Sequence, residues 1–424
     1  MRLVLTRPVL RRCARSLLAV ALWAGTAATA HGQAIAHRGF IEGAAFVFPV
    51  EERNDPTHLV GDLLAREEVS LRPAKWLLVG AGVDFRANTD DQVQDSWELD
   101  WDDRGSARPR LSIRRLAATL TRGRLTLEVG KQFVRWGKTD VVVPTDRFAP
   151  RDFLTVIDAP YLAITALRGT VQAGSHTLEA VWSPRLTPSR LPLLGQRWAV
   201  LPSTAPSNLW IVEAPVAFPS RGQAGLRYGQ IRDRFEYSLS FYDGFNHLPE
   251  LRFDEFNPSS ATIALTRVYP PLRSYGADAA VPLPWFTLKT EAAYFTSSSP
   301  STDEYLLYVV QVERQIGEWL LIGGYAGEVV TKRRSPFVFA PDRGVSRAFL
   351  GRSTYTIDGN RSVELEAAVR YNGDGVYVKA EYSQAYRQHW RAIVSGVALA
   401  GDTDDFIGQY RRNSYLRFLL RYSF

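Results

Sequence analysis

The last ten residues of the chain, Tyr415 to Phe424, have a period of two: Leu416, Phe418, Leu420, Tyr422 and Phe424 fall on one face of an extended backbone, and Arg417, Arg421 and Ser423 on the other. Large apolar groups on one face and arginines on the other need oil on one side and water on the other. A strand in the wall of a transmembrane barrel has both. Beyond residue 30 no stretch reaches the roughly 20 consecutive apolar residues of a membrane helix. A spanning chain without such helices must close its hydrogen-bond ladder on itself, because an open sheet edge in lipid leaves backbone groups unpaired. The fold class read from these residues is all-β, a transmembrane antiparallel β-barrel.

The other end carries Arg2, Arg7, Arg11, Arg12 and Arg15, then the apolar run Leu17 to Ala24, then Ala28-Thr29-Ala30. That order predicts a secretory signal peptide over 1–30, with a second candidate cleavage site ending at Ala34, and a barrel over 31–424. Cys13, the only cysteine, sits in Arg-Arg-Cys-Ala, without the small and apolar residues that precede a lipidated cysteine. Removing 1–30 takes five of the 51 basic residues and leaves 46 against 44 acidic ones, so the basic pI is mostly a property of the targeting segment. Nucleic-acid binding loses its support with it. Lacking cysteine, the mature chain depends on its ladder and not on disulfides.

Alternation and turn residues together give about sixteen strands. The range extends from fourteen to eighteen, because 261–269 reads as a possible extra strand and 388–400 as a possible short loop helix. Short connections, among them Ala173-Gly174-Ser175 and Asn372-Gly373-Asp374-Gly375, alternate with long ones over 50–62, 87–108, 136–159, 185–220, 246–271, 297–303, 331–361 and 388–413. Short periplasmic turns, long extracellular loops and an even strand number are the rule for such barrels. The 18 Tyr, 11 Trp and 21 Phe fit interfacial girdles, and fit a secreted carbohydrate-binding sandwich almost as well.

With the apolar set facing lipid, the lumen receives Arg110, Arg114, Lys289, Arg370, Lys379, Arg417 and Arg421, together with Glu128, Glu291, Glu364, Glu366 and Glu381. An Arg or Lys facing lipid at the midplane costs roughly 2–4 kcal/mol, which excludes the opposite assignment. The signs nearly balance. Neighbours such as Lys289/Glu291 and Lys379/Glu381 predict cross-strand ion pairs, which either stiffen the wall or select a permeant molecule. In 109–121 and 160–172 the apolar set changes face partway, which calls for β-bulges near Arg114-Arg115 and Leu167-Arg168.

The most idiosyncratic segment is Val129-Gly130-Lys131-Gln132-Phe133-Val134-Arg135-Trp136-Gly137-Lys138-Thr139-Asp140, continued by Val143-Pro144-Thr145-Asp146-Arg147-Phe148-Ala149-Pro150-Arg151-Asp152-Phe153. Its prolines cannot donate to a ladder, Gly137 permits a tight bend, and Arg135, Lys138, Arg147 and Arg151 alternate with Asp140, Asp146, Asp152 and Asp158. The residues describe a charge-paired loop, either folded inward as a constriction or held on the extracellular surface by its Arg/Asp pairs.

A strand ending in Gly-Lys-Gln, then Trp-Gly-x-x-Asp, then a Pro-x-Asp turn resembles little-characterised porin-like families of Gram-negative outer-membrane barrels, and more distantly the alginate-export barrels. About 25 residues carry the likeness directly. It implies a pore-type role in the cell outer membrane, among outer-membrane lipid and lipopolysaccharide. The terminal Phe424 resembles the signal that such proteins present to the barrel-assembly machinery. A pore for a polyanion should be strongly basic, and the nearly neutral lumen departs from the alginate-export pattern. Porins of this size often form trimers, so a homo-oligomer is expected by analogy of fold.

A second Pro-rich stretch, Ser183 to Trp198 and on to Pro219, reads as a plug or lid in the barrel mouth or as a surface partner site. The acidic run Asp90, Asp91, Asp95, Glu98, Asp100, Asp102 and Asp103 lacks the Asp-x-Asp-x-Asp-Gly spacing of a calcium loop. It reads as a solvated loop that meets lipopolysaccharide through divalent ions. No resident metal or cofactor is expected. Of the six scattered histidines, His247, near Asp243 and Asp254, is the best catalytic candidate, and no motif surrounds it. The sequence thus reads as a porin-like channel for passive passage of small or amphipathic solutes, and not as an enzyme. The alternative is a closed structural or binding barrel, or the outer-membrane partner of an export system for lipid, polysaccharide or a hydrophobic compound.

Overall fold

The computed structural model describes residues 34–200, 210–216, 218–257, 262–334, 340–371 and 373–424, so the predicted signal peptide lies outside the described residues. Eighteen strands, each antiparallel to the next, form the barrel wall. They are β1 Ala34–Val47, β2 Leu59–Ala74, β3 Leu77–Asn88, β4 Leu111–Arg122, β5 Leu125–Gln132, β6 Ile164–Ala173, β7 His176–Ser183, β8 Gln223–Arg232, β9 Phe235–Phe245, β10 Pro271–Pro282, β11 Thr287–Thr296, β12 Glu304–Ile316, β13 Trp319–Lys332, β14 Ala348–Asp358, β15 Arg361–Arg370, β16 Val376–Tyr386, β17 Trp390–Ala400 and β18 Tyr415–Ser423. The last returns to the first, with Phe40 opposite Ser423 and Val47 opposite Leu416. Reciprocal bonds of 2.9 Å between the backbones of Gly39 and Phe424 close the seam. Leu416, Phe418 and Leu420 are exposed on the outside, and Arg417 and Arg421 turn inward, as the period of the terminal strand requires.

Eighteen exceeds the sixteen expected because two strands occupy predicted loops. β14 lies inside 331–361, and β17 replaces the helix considered over 388–400. Their inner faces explain why alternation missed them. Ala348 and Leu350 of β14, and Val397 and Leu399 of β17, are buried in one apolar cluster with Val142, Val156, Ile407 and Tyr410 from the connections. Inward positions that meet a packed loop instead of water carry apolar side chains, and the contrast of a half-wet strand fades. The other ambiguous segment, Thr262–Val268, is a strand outside the barrel. It pairs antiparallel with Glu250–Asn257 and parallel with Trp210–Glu213.

The two added strands also move the Gly373 turn. By parity, the connection between β15 and β16 lies on the rim of the long loops, not among the short turns. There Asp405 fills the space that a side chain at Gly373 or Gly375 would need. A cysteine at Asp374 should therefore react with a membrane-impermeant thiol reagent on intact cells, as should one at Asp95 or Ser298. A cysteine at Ser175, on the opposite rim, should stay unlabelled, and the reverse pattern would invert the topology.

The bulge expected in β4 is present: Gly82 opposes Arg115 and Val83 opposes Ile113, which leaves Arg114 as the extra residue. The bulge expected at Leu167-Arg168 is not there. β6 begins at Ile164 and pairs without a register shift, and the change of face came from 160–163, which belong to the preceding loop.

Candidate pore and its inward loop

The chain leaves the wall at the end of β5. Gly130 has φ +126°, and a Cβ there would strike the Leu116 carbonyl, so only glycine permits the exit. From Phe133 the backbone turns into the lumen, rejoining the wall at Ile164. The edge of β4 that it abandons is taken by Leu99–Asp100, which pair in parallel with Leu111–Ser112. Lys131, buried at this patch, donates to the Trp101 carbonyl at 2.7 Å and to Asp103 at 2.6 Å. Gln132 donates to the Ala166 carbonyl at 3.0 Å. The Gly-Lys-Gln part of the motif thus repairs the wall where the loop departs.

Inside, the loop is fixed first by packing. Trp136, Phe148 and Tyr242 meet edge to face at 5.3 and 5.1 Å, and Val134, Ile164, Ala166 and Val181 complete the cluster. The Trp136 indole donates to Glu179 at 2.5 Å. The far half is held by one carboxylate, Glu291 on β11, which is 2% exposed. It accepts from the amides of Lys138 (3.0 Å), Thr139 (3.2 Å) and Thr145 (2.7 Å), and from the hydroxyls of Thr139 (2.9 Å) and Thr145 (2.8 Å).

The charges of the loop do not mainly pair with one another. Arg135 and Asp146 do, at 3.0 Å, and Asp146 also accepts from the amides of Trp136 and Gly137. Most of the others reach outward, and Arg151 stays within the loop. Lys138 pairs with Glu236 and Asp278, and Asp140 accepts from Gln311 and lies 3.8 Å from Lys289. Arg147 faces Asp342 at 3.8 Å, and Arg151 donates to the Tyr161 hydroxyl at 2.5 Å. Asp152 is buried between Arg108 (2.8 Å) and Arg190 (3.1 Å). Burial opposes ionisation of Asp152, but the two guanidinium groups outweigh it and hold the carboxyl well below its ordinary range.

The remaining predicted residues fall into separate places. Arg114, Lys379, Glu381, Arg417 and Arg421 line one open compartment. Lys379 and Glu381 pair at 3.1 Å, whereas Lys289 pairs with Glu313 at 2.6 Å and leaves Glu291 to the loop. Glu366 accepts from Arg352 at 2.8 Å and from Tyr377, and Glu364 from Thr354. Glu128 belongs to a different cluster, with Arg115 at 2.9 Å and Arg168. Arg110 and Arg370 sit at the mouth, paired with Asp95 and Asp405. Sequence reasoning missed Asp84, which takes two bonds from Arg66 at 2.6 and 2.8 Å, although Val83-Asp84-Phe85-Arg86 alternates visibly. It also missed Arg190, for which no local signal exists.

The mouth is crossed by residues 183–200 of the Pro-rich stretch, of which 201–209 and 217 lie outside the described residues. Arg190 bridges Asp103 and Asp152, the Ser189 amide donates to the His247 carbonyl, and Arg197 meets Asp55. Three acids of the 90–103 run are paired: Asp95 with Arg110, Asp102 with Arg185, and Asp103 with Lys131 and Arg190. Asp90 is pushed up to about 6 by its own burial, with the Asp55 charge adding to it. His247 bonds neither Asp243 nor Asp254. Its two nitrogens face the carbonyls of Thr187 (2.6 Å) and Arg147 (2.8 Å), and burial pushes it down to about 4.

The loop divides the lumen in two. Toward β1–β4, β16 and β18 lies a polar compartment of about 500 Å³, bounded on the loop side by Thr155, Asp158 and Pro160. Its lining holds eight cationic groups, Arg66, Arg86, Arg108, Arg114, Arg197, Lys379, Arg417 and Arg421, against five acidic ones, Glu42, Asp62, Asp90, Asp158 and Glu381. Four of these cations are backed by carboxylates just outside the lining: Asp84 meets Arg66 and Arg86, Asp152 meets Arg108, and Asp55 meets Arg197. The Arg417–Asp158 pair, at 3.0 Å, ties its wall to the loop. Toward β10, β12, β15 and β17 lies a smaller apolar cavity of about 170 Å³, bounded on the loop side by Val142, Val156 and Ile157.

No protein-family profile and no curated protein matches the sequence. Solved structures match the fold. OccAB4 of Acinetobacter baumannii is 11% identical with a TM-score of 0.52, over 92% of this chain and 97% of that one. OccK3 (OpdO) of Pseudomonas aeruginosa is 12% identical with a TM-score of 0.51, over 92% and 95%. OpdK of Pseudomonas aeruginosa, solved with vanillate, is 10% identical with a TM-score of 0.50, over 92% and 98%. At these identities the likeness is one of fold, the closed antiparallel barrel of outer-membrane porins. With its exposed apolar exterior and charged interior, the chain is an outer-membrane β-barrel.

Proposed function

We propose that this barrel is a passive, porin-like channel, and that a small solute crosses it through the polar compartment between the inward loop and the β1–β4 wall. One observation carries the reading: the loop separates a small, mainly apolar cavity from a larger compartment lined by eight cations and five acids. The surplus favours a solute of net negative charge, since selectivity in a pore follows the sign of its lining. Arg421, Arg417, Arg66 and Arg114 stand on the wall, and Arg108 and Arg197 nearer the mouth, so a permeating anion meets cations along its way. The vanillate bound by OpdK, a small aromatic carboxylate, belongs to the same solute class, and OpdK shares the fold.

Export of a polymer has less support. A compartment of about 500 Å³ whose wall is tied to the loop by an ion pair suits a small molecule rather than a polysaccharide, so nothing in the lumen extends the distant likeness to alginate-export barrels. Vesicles containing the purified protein should release entrapped benzenesulfonate several-fold faster than phenyltrimethylammonium, two ions of similar size and permanent charge. Equal rates, or a faster cation, would contradict the assignment.

A further inference from the structure

The channel reading leaves the second cavity without a use. It lies on the opposite side of the inward loop from the polar compartment, has a volume of about 170 Å³, and is lined mainly by apolar groups such as Val142, Val156, Leu307, Ala368 and Leu399. A dry engineered cavity of about 150 Å³, lined by Leu, Ile and Phe in another protein, binds benzene. The space therefore suits one aromatic ring.

Its polar lining is almost fully engaged. Glu366 is held by Arg352 and Tyr377, Asp146 by Arg135 and two amides, and His247 through its single N–H by one of the two carbonyls it faces. Two exceptions stand out among the described residues: the Tyr410 hydroxyl and the Arg147 Nε have no hydrogen-bond partner. Tyr410 is 1% exposed, so its hydroxyl is cut off from bulk water, and a buried hydroxyl normally has a partner. Arg147 already faces Asp342, so its charge is balanced, and Glu366 stands nearby. A carboxylate ligand would add a further negative charge beside these two acids. A neutral hydroxyl would not, and it can both donate and accept.

We propose that this cavity is a binding site for one uncharged, phenol-sized aromatic, its ring among Val156, Leu307, Ala368 and Leu399 and its hydroxyl on Tyr410. The site is distinct from the ion path, so the inward loop separates two functions: polar passage on one face and aromatic binding on the other.

The test is ¹⁹F NMR titration of the full-length folded protein in detergent with 4-fluorophenol, with fluorobenzene and 4-fluorobenzoate as comparisons and heat-modifiable gel migration as the check of folding. Saturable binding of fluorophenol, tighter than fluorobenzoate, is expected. Ala368→Leu, which fills the cavity from the wall, and Val156→Phe, which fills it from the loop, should each abolish that binding. Tyr410→Phe should weaken fluorophenol roughly 3- to 10-fold, the equivalent of one hydrogen bond, and leave fluorobenzene unchanged. Absence of saturable binding, fluorophenol affinity in both filled variants equal to that of the unaltered protein, or a preference for fluorobenzoate would overturn the assignment. The ionic conductance of Ala368→Leu should equal that of the unaltered protein. A matching loss of conductance would overturn the separation of the two compartments, while a barrel with no conductance at all would remove the channel reading and leave the aromatic site standing.

Discussion

Alanine at Glu291 should free the far half of the inward loop and raise single-channel conductance several-fold, with the barrel still resistant to detergent until heated. Five donors of the loop converge on this one buried carboxylate, three of them backbone amides. The Thr139 hydroxyl would keep the Val142 carbonyl at 2.6 Å, but each of the other four donors left without a partner costs about 1–3 kcal/mol, so even the low end of the range sums to several kcal/mol against the inward position. The packing of Trp136 against Phe148 does not involve Glu291, so the near half of the loop stays in place. Glutamine at 291 should give an intermediate conductance, because an amide keeps one acceptor oxygen but turns an NH2 group toward the remaining donors. Conductance in the alanine variant equal to that of the unaltered protein would show that the loop is held by something else.

Exchanging Arg417 and Arg421 together for glutamate should reverse ion selectivity. The lining of the polar compartment would go from eight cations against five acids to six against seven. Arg417→Glu also sets a second carboxylate beside Asp158, and Arg421→Glu another beside Glu42, so two attractive contacts become repulsive. The reversal potential in a potassium chloride gradient should cross from anion to cation preference, with a change in permeability ratio on the order of ten-fold. An unaltered ratio would place the ion path elsewhere.

The parts of this molecule that were legible in the sequence are those where one face meets oil and the other meets water. The terminal strand is the clearest case, and the alternation of Leu416, Phe418 and Leu420 with Arg417 and Arg421 is enough to orient it. Strand β17 was illegible for the complementary reason: Val397 and Leu399 look inward but meet the loop, so both faces are apolar. The inward loop itself could be recognised from its prolines, Gly137 and dense charges, but its partners could not. Asp158 is paired with Arg417, 259 residues away, and Asp140 with Gln311, 171 away. Alternating charge along the loop pointed to pairs within it, whereas closure of the barrel brings other strands and loops within reach. The Glu291 anchor illustrates the same limit. Its face was predicted, and the expected cross-strand pair forms between Lys289 and Glu313, but nothing local marks Glu291 as the acceptor of the loop.

The central claim is that the lumen is open beside a loop that narrows it, and conductance in planar bilayers addresses it directly. Purified, folded protein should open a small, anion-preferring channel. The same protein with Gly137–Asp152 replaced by a short glycine-serine linker should keep its heat-modifiable migration and conduct several-fold more. A folded barrel that carries no current, both intact and without the loop, would contradict the account and leave a closed binding or structural barrel in its place.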